Sequence, residues 1–267
     1  MIGALTITWS MVAATLVPPQ IETGFLNRAL TLGGETFRYQ VYVPASFDPS
    51  RRWPVVLFLH GSGERGSDGI RPTAVGLGAA IRANPERFPA IVVFPQVPEA
   101  KRWAGDAAAA AIQALDQSIA EFHGDPERVY VVGISMGGRG ALQIAADHAE
   151  RFAALVAVCG WVVPPKQIAD LDPSTTPAGV NAYVAMATGL KSLPVRLYHG
   201  SLDTIVPPAE SRRLALALHD LGADAKYNEF ADVGHAAWEK AFADPELWSW
   251  LFSKRRTAPV PQATATP

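Results

Sequence analysis

The chain predicts an α/β fold: a mostly parallel central sheet with an N-terminal antiparallel hairpin, helices on both faces and no large lid. Three observations predict it. Short continuous apolar runs, such as Val55-Val-Leu-Phe-Leu59 and Ala90-Ile-Val-Val-Phe94, recur along the chain, as expected of strands covered on both faces. Stretches of helical periodicity separate these runs, and strand alternating with helix argues for parallel pairing. Near the start, Gly33-Gly34 lies between two extended segments, which reads as a β-hairpin.

The elements follow in order. The hairpin arms are residues 25–32 and 36–43, the second alternating Phe37, Tyr39, Val41 and Val43. Buried strands are expected at 55–59, 90–94, 129–132, 154–158 and 195–198, with another extended run at 226–230. Helices are expected at 104–122, 137–148, 208–221 and 236–252. Residues 161–193 depart from this rhythm with Pro164-Pro165 and Asp172-Pro-Ser-Thr-Thr-Pro177, leaving room for a short helix over 179–190. That stretch reads as a modest insertion. A single domain is expected over 20–253, preceded by an apolar segment (1–19) and followed by a flexible tail (254–267).

Composition narrows the partners. The 267 residues are 49% hydrophobic and 18% charged, the balance of a packed globular chain. Net charge is −2, and without a basic stripe nucleic acid is disfavoured as a partner. Lys254-Arg255-Arg256 opens a Pro/Ala/Thr-rich end and reads as part of a solvated tail. Cys159, the only cysteine, lies in an apolar run and reads as core, with no disulfide or cysteine-based metal site. Residues 2–17 are largely apolar, but no Lys or Arg precedes Arg28. They read either as a weak export signal or as a packed N-terminal segment, and they are short for a membrane span.

The chemistry centres on Val129-Tyr-Val-Val-Gly-Ile-Ser-Met-Gly-Gly138. An apolar strand runs into Gly133-x-Ser135-x-Gly137, and a helical pattern follows at once. Glycines at those places permit a tight reversal that exposes Ser135 as a nucleophile. A base and an acid should then follow in the order Ser, Asp, His. Asp203 comes just after the run 195–198, and His235 just after 226–230. His235 would take the Ser135 proton, and Asp203 would hold the imidazole. Asp203 also reads as a helix cap, and Asp232 is the rival acid. For the oxyanion, the glycine-rich loop His60-Gly-Ser-Gly-Glu-Arg-Gly66 offers the Ser62 N–H, with Gly63 as fallback. Met136, next to the nucleophile, offers a second donor. His60-Gly61 reads alternatively as a turn with a buried histidine.

These stretches, with His199-Gly-Ser-Leu-Asp203 and Gly234-His-Ala-Ala-Trp238, resemble the α/β-hydrolase serine esterases. The likeness is greatest to compact bacterial carboxylesterases grouped with feruloyl esterases, polyhydroxyalkanoate depolymerases and dipeptidyl-peptidase-like hydrolases. It implies action on carboxylic esters with no metal or organic cofactor. A small-molecule ester of short-chain or aryl type is the expected substrate, reacting through an acyl-serine. A peptidase or acyltransferase with the same residues, or a non-catalytic binding protein of the same fold, are the alternatives. Gln96, Trp103 and Trp161 follow strand ends, where ligands bind in such sheets, and are expected as substrate contacts, with core packing the alternative for the two tryptophans. Trp238 is expected to pack the histidine loop.

Overall fold

The structure is a computed structural model and describes residues 22–165 and 180–256. The apolar segment 1–19, the Asp172–Pro177 stretch and the end of the chain beyond 256 lie outside the described residues.

One eight-stranded sheet organises these residues, in the order β1-β2-β4-β3-β5-β6-β7-β8. β1 (Gly24–Leu32) and β2 (Glu35–Val43) are the hairpin, paired antiparallel down to Leu32 opposite Glu35. Gly33 and Gly34 turn the chain at φ 59° and 83°, left-handed values that a two-residue hairpin turn requires and glycine adopts freely. β2 also pairs antiparallel with β4 (Ile91–Pro95). From there the pairing is parallel through β3 (Trp53–Leu59), β5 (Gly124–Ile134), β6 (Ala154–Val158), β7 (Val195–Gly200) and β8 (Ala225–Phe230). Six strands therefore end at the same edge of the sheet.

Alternation along each strand feeds two cores. Val55, Leu57 and Leu59 face one with Val131, Leu155 and Leu197, under α2 (Gly105–Glu121), α3 (Met136–Asp147), α4 (Ala182–Leu190) and α5 (Ala209–Asp220). Val56, Phe58, Val132 and Val156 face the other, under α1 (Leu77–Ala83), α6 (Trp238–Ala243) and α7 (Pro245–Ser253). Fully burying a side chain such as Phe58 or Leu57 stabilises by about 1.5–3 kcal/mol, and both are 0% exposed.

One expectation is corrected. The helix expected over 236–252 is two helices, α6 and α7. Pro245 lacks the N–H that a continuous helix needs and instead starts α7, capped by the Asp244 side chain, which accepts from Glu246 N–H. Of the stretch expected as a solvated tail, the three described residues each meet the rest of the protein while their side chains stay at least partly exposed. Lys254 pairs with Asp224 at 3.1 Å, Arg255 with Glu127 at 3.2 Å, and Arg256 N–H donates to Glu127 O at 2.7 Å. The short α1 was not anticipated.

Candidate active site

Ser135 sits between β5 and α3 at φ 52°, ψ −118°, a left-handed conformation that few non-glycine residues adopt. The turn closes so tightly that side chains are excluded around it. A Cβ at Gly133 would lie 2.1 Å from Gly137 O, and one at Gly137 would lie 1.9 Å from Leu59 O. Ser135 N–H donates to Val158 O at 2.8 Å, and its carbonyl accepts from Arg139 N–H at 3.0 Å. The nucleophile expected from sequence is thus held by its own backbone.

His235 reaches it from the loop after β8. Its Nε2 lies 2.9 Å from Ser135 Oγ and its Nδ1 2.6 Å from Asp203 Oδ2. A carboxylate only accepts, so Nδ1 carries the proton and Nε2 is free to take one from Ser135. Asp203 is fully engaged. Its Oδ1 accepts from Ile205 N–H and Val206 N–H, both at 2.9 Å. Burial pushes its carboxyl up, but hydrogen bonds from His199, His235 and the Val206 N–H outweigh burial and hold it well below the usual carboxylate range. Asp203 does not cap α5, whose N-cap is Pro208; it shapes the turn before that helix. Asp232 is exposed at φ 57°, with its N–H donating to Ser201 Oγ.

The glycine-rich loop passes beside the nucleophile. A Cβ at Gly61 would lie 3.6 Å from Ser135 Cβ and 3.1 Å from Glu64 Oε2, and residues Ser62–Glu64 form a 3₁₀ turn there. Met136 opens α3, where the first N–H groups have no partner within the helix and its dipole favours negative charge. Gly61, the neighbour of the expected donor Ser62, and Met136, the other expected donor, therefore lie beside Ser135.

Buried side chains brace this loop from below. His60 Nδ1–H donates to Gly61 O at 2.6 Å, and its Nε2 accepts from Val97 N–H at 3.0 Å. Burial lowers its pKa to about 4, which suits a neutral ring with one donor and one acceptor. Gln96 Nε2 donates to Glu64 O at 3.0 Å, and its Oε1 accepts from Gly69 N–H at 2.6 Å. Trp103 Nε1 donates to His60 O at 3.0 Å. Expected as substrate contacts, with packing the alternative for Trp103, Gln96 and Trp103 are buried, with these polar atoms bonded to the loop. Trp161 is also buried, beside Val162 in the core under α4 and α5. Trp238 meets the His235 ring edge-on at 5.5 Å, as expected of a residue packing the histidine loop. It also lines a cavity of about 350 Å³ between α1 and α6, which none of Ser135, Asp203 and His235 lines.

Three neighbours had not been singled out for the site. Cys159 Sγ donates to His235 O at 3.1 Å, and burial pushes its thiol up to about 12. Its sulfur lies within 4.8 Å of the Asp203 and His235 ligand atoms, and a thiol kept protonated by burial is a poor nucleophile. Glu210, buried on α5, accepts from Val162 N–H, Val163 N–H and the Tyr183 hydroxyl at 3.0, 2.9 and 2.7 Å. His199 lies behind Asp203. The motif His199-x-x-x-Asp203 was the available signal for it.

The sheet order, the strained turn at Ser135 and the residues gathered around it define a serine hydrolase of the α/β-hydrolase class. The model of the prolyl oligopeptidase family matches residues 100–249, more than half of the chain. The chain belongs to that family. A crystal structure of a thermostable esterase superposes with a TM-score of 0.74 at 27% identity, over 87% of this chain and 63% of that one. A ferulic acid esterase superposes at 0.66 with 18% identity, over 87% and 99%, a likeness of fold. Acyl-protein thioesterase 1 of Gibberella zeae is 27% identical over 112 residues, 42% of this chain and 43% of the thioesterase. The chain thus spans less than half of that relative and under two thirds of the thermostable esterase. Among the described residues no helix is long and apolar enough to cross a membrane.

Proposed function

We propose that the protein hydrolyses carboxylic esters, short-chain or aryl, through an acyl-Ser135 intermediate. The observation that carries this is the bonded chain from Ser135 Oγ through His235 to Asp203, at 2.9 and 2.6 Å, at the strained turn. His235 Nε2 takes the Oγ proton as Ser135 attacks the ester carbonyl, while Asp203 stabilises the imidazolium. The N–H groups of Ser62 and Met136 receive the developing oxyanion. Collapse expels the alcohol with the proton from His235. Water, deprotonated by the same imidazole, then releases the acid and restores Ser135. Gln96 and Trp103 serve this chemistry by bracing the donor loop, and Trp161 by packing the strand-end loop beside it.

A panel of p-nitrophenyl acetate and butyrate, a feruloyl ester and acetylated sugars, run on wild type and Ser135→Ala, tests the proposal. Turnover of the small esters and its loss in Ser135→Ala are expected, together with loss of fluorophosphonate labelling. Activity confined to long-chain triglycerides would refute it. Membership of the prolyl oligopeptidase family favours peptide cleavage as the second reading. Faster turnover of peptidyl anilides than of esters would put it first.

A further inference from the structure

Asp203 has a second imidazole. His199 is 0% exposed, at the end of β7. Its Nε2 lies 3.0 Å from Val206 O and 3.2 Å from Asp203 Oδ2. Both neighbours are acceptors, so Nε2 bears the proton and shares it between them. On the other side Nδ1 lies 2.7 Å from Ser211 Oγ, itself buried on α5. An unprotonated Nδ1 makes the serine hydroxyl the donor. The result is a continuous line of polar contacts, Ser211, His199, Asp203, His235, Ser135. One oxygen of Asp203 is fixed by two backbone N–H groups, and the other lies between two imidazoles.

We propose that His199 is a positioning residue: its Nε2–H fixes the carboxylate of Asp203 in the orientation His235 requires, and Ser211 fixes the tautomer of His199. The proposal rests on reading Ser135, His235 and Asp203 as the reacting set. The other titratable groups facing this cluster are Cys159 from the end of β6 and Glu229 from β8. The thiol is held protonated by burial, and Glu229 is paired with Arg212 at 2.8 Å and with the Tyr227 hydroxyl at 2.6 Å. Neither supplies Asp203 with the donor that His199 does.

Losing that donor leaves the charge on Oδ2 less shared, so Asp203 holds the His235 proton more strongly. His199→Leu should lower kcat about 10- to 100-fold, the range typical of outer partners that orient a reacting group. KM should stay within about twofold, since ground-state binding is untouched. The acid limb of kcat/KM should move to higher pH by about half a unit. In His199→Gln an amide N–H replaces Nε2–H and should recover most of the loss. Ser211→Ala should shift the limb the same way, with about a threefold fall in kcat.

Equal losses in the Leu and Gln variants with an unmoved acid limb would overturn the proposal and make His199 a space-filling core residue. If His199→Leu does not fold, the Gln and Ser211→Ala profiles decide by the same criterion. Full activity in Ser135→Ala would instead overturn the reading of the reacting set, and this proposal with it.

Discussion

At Ser135 the chain holds a backbone that its side chain disfavours. Strain of this kind costs about 1–3 kcal/mol, and glycine relieves it. Ser135→Gly should therefore be more stable than Ser135→Ala by about 1 kcal/mol in urea unfolding, with both inactive. Cys159 presents the opposite case, a reactive atom type made inert. Its thiol is buried and pushed up to about 12, so iodoacetamide at pH 8 should leave the native protein unlabelled by mass spectrometry and fully active. The residues proposed to react were legible in sequence because their positions are local facts: Ser135 between a strand and a helix, Asp203 and His235 just past strand ends. The partners of Gln96 and Trp103 were not. Each lies across the fold, Gln96 against Glu64 and Gly69, Trp103 against His60, and no spacing along the chain encodes such pairings.

At the scale of elements, most strands and helices were readable from apolar runs and periodicity, with ends displaced by a few residues. The misses have physical causes. α1 is seven residues long and has no side-chain cap at its N-terminus, so no start signal marks it. The break between α6 and α7 is written in Asp244-Pro245, a cap followed by a first-turn proline, within an otherwise continuous helical pattern. Glu210 shows what periodicity omits. A carboxylate on a helical face reads as solvated, yet here it ties the segment after β6 to α4 and α5 through three hydrogen bonds. Glu210→Ala leaves those donors without their acceptor and should cost about 2–4 kcal/mol, read as a lower urea midpoint.

For the whole molecule, the depressed carboxyl of Asp203 links stability to pH. Its contribution is complete above the ordinary carboxyl value of about 3.9 and is lost as pH falls through the lower native one. The stability gap between wild type and Asp203→Asn, measured by urea unfolding, should be widest near neutrality and narrow below about pH 4. The order of strands carries a further consequence, in time rather than space. Ser135 follows β5, whereas His235, proposed as its base, follows β8, an edge strand that pairs only with β7. During synthesis the proposed nucleophile therefore emerges a hundred residues ahead of the imidazole proposed to activate it. On that proposal a nascent chain stays chemically silent until its last strand pairs. In refolding experiments fluorophosphonate labelling should lag behind recovery of the circular dichroism signal, because sheets built from distant pairings close slowly.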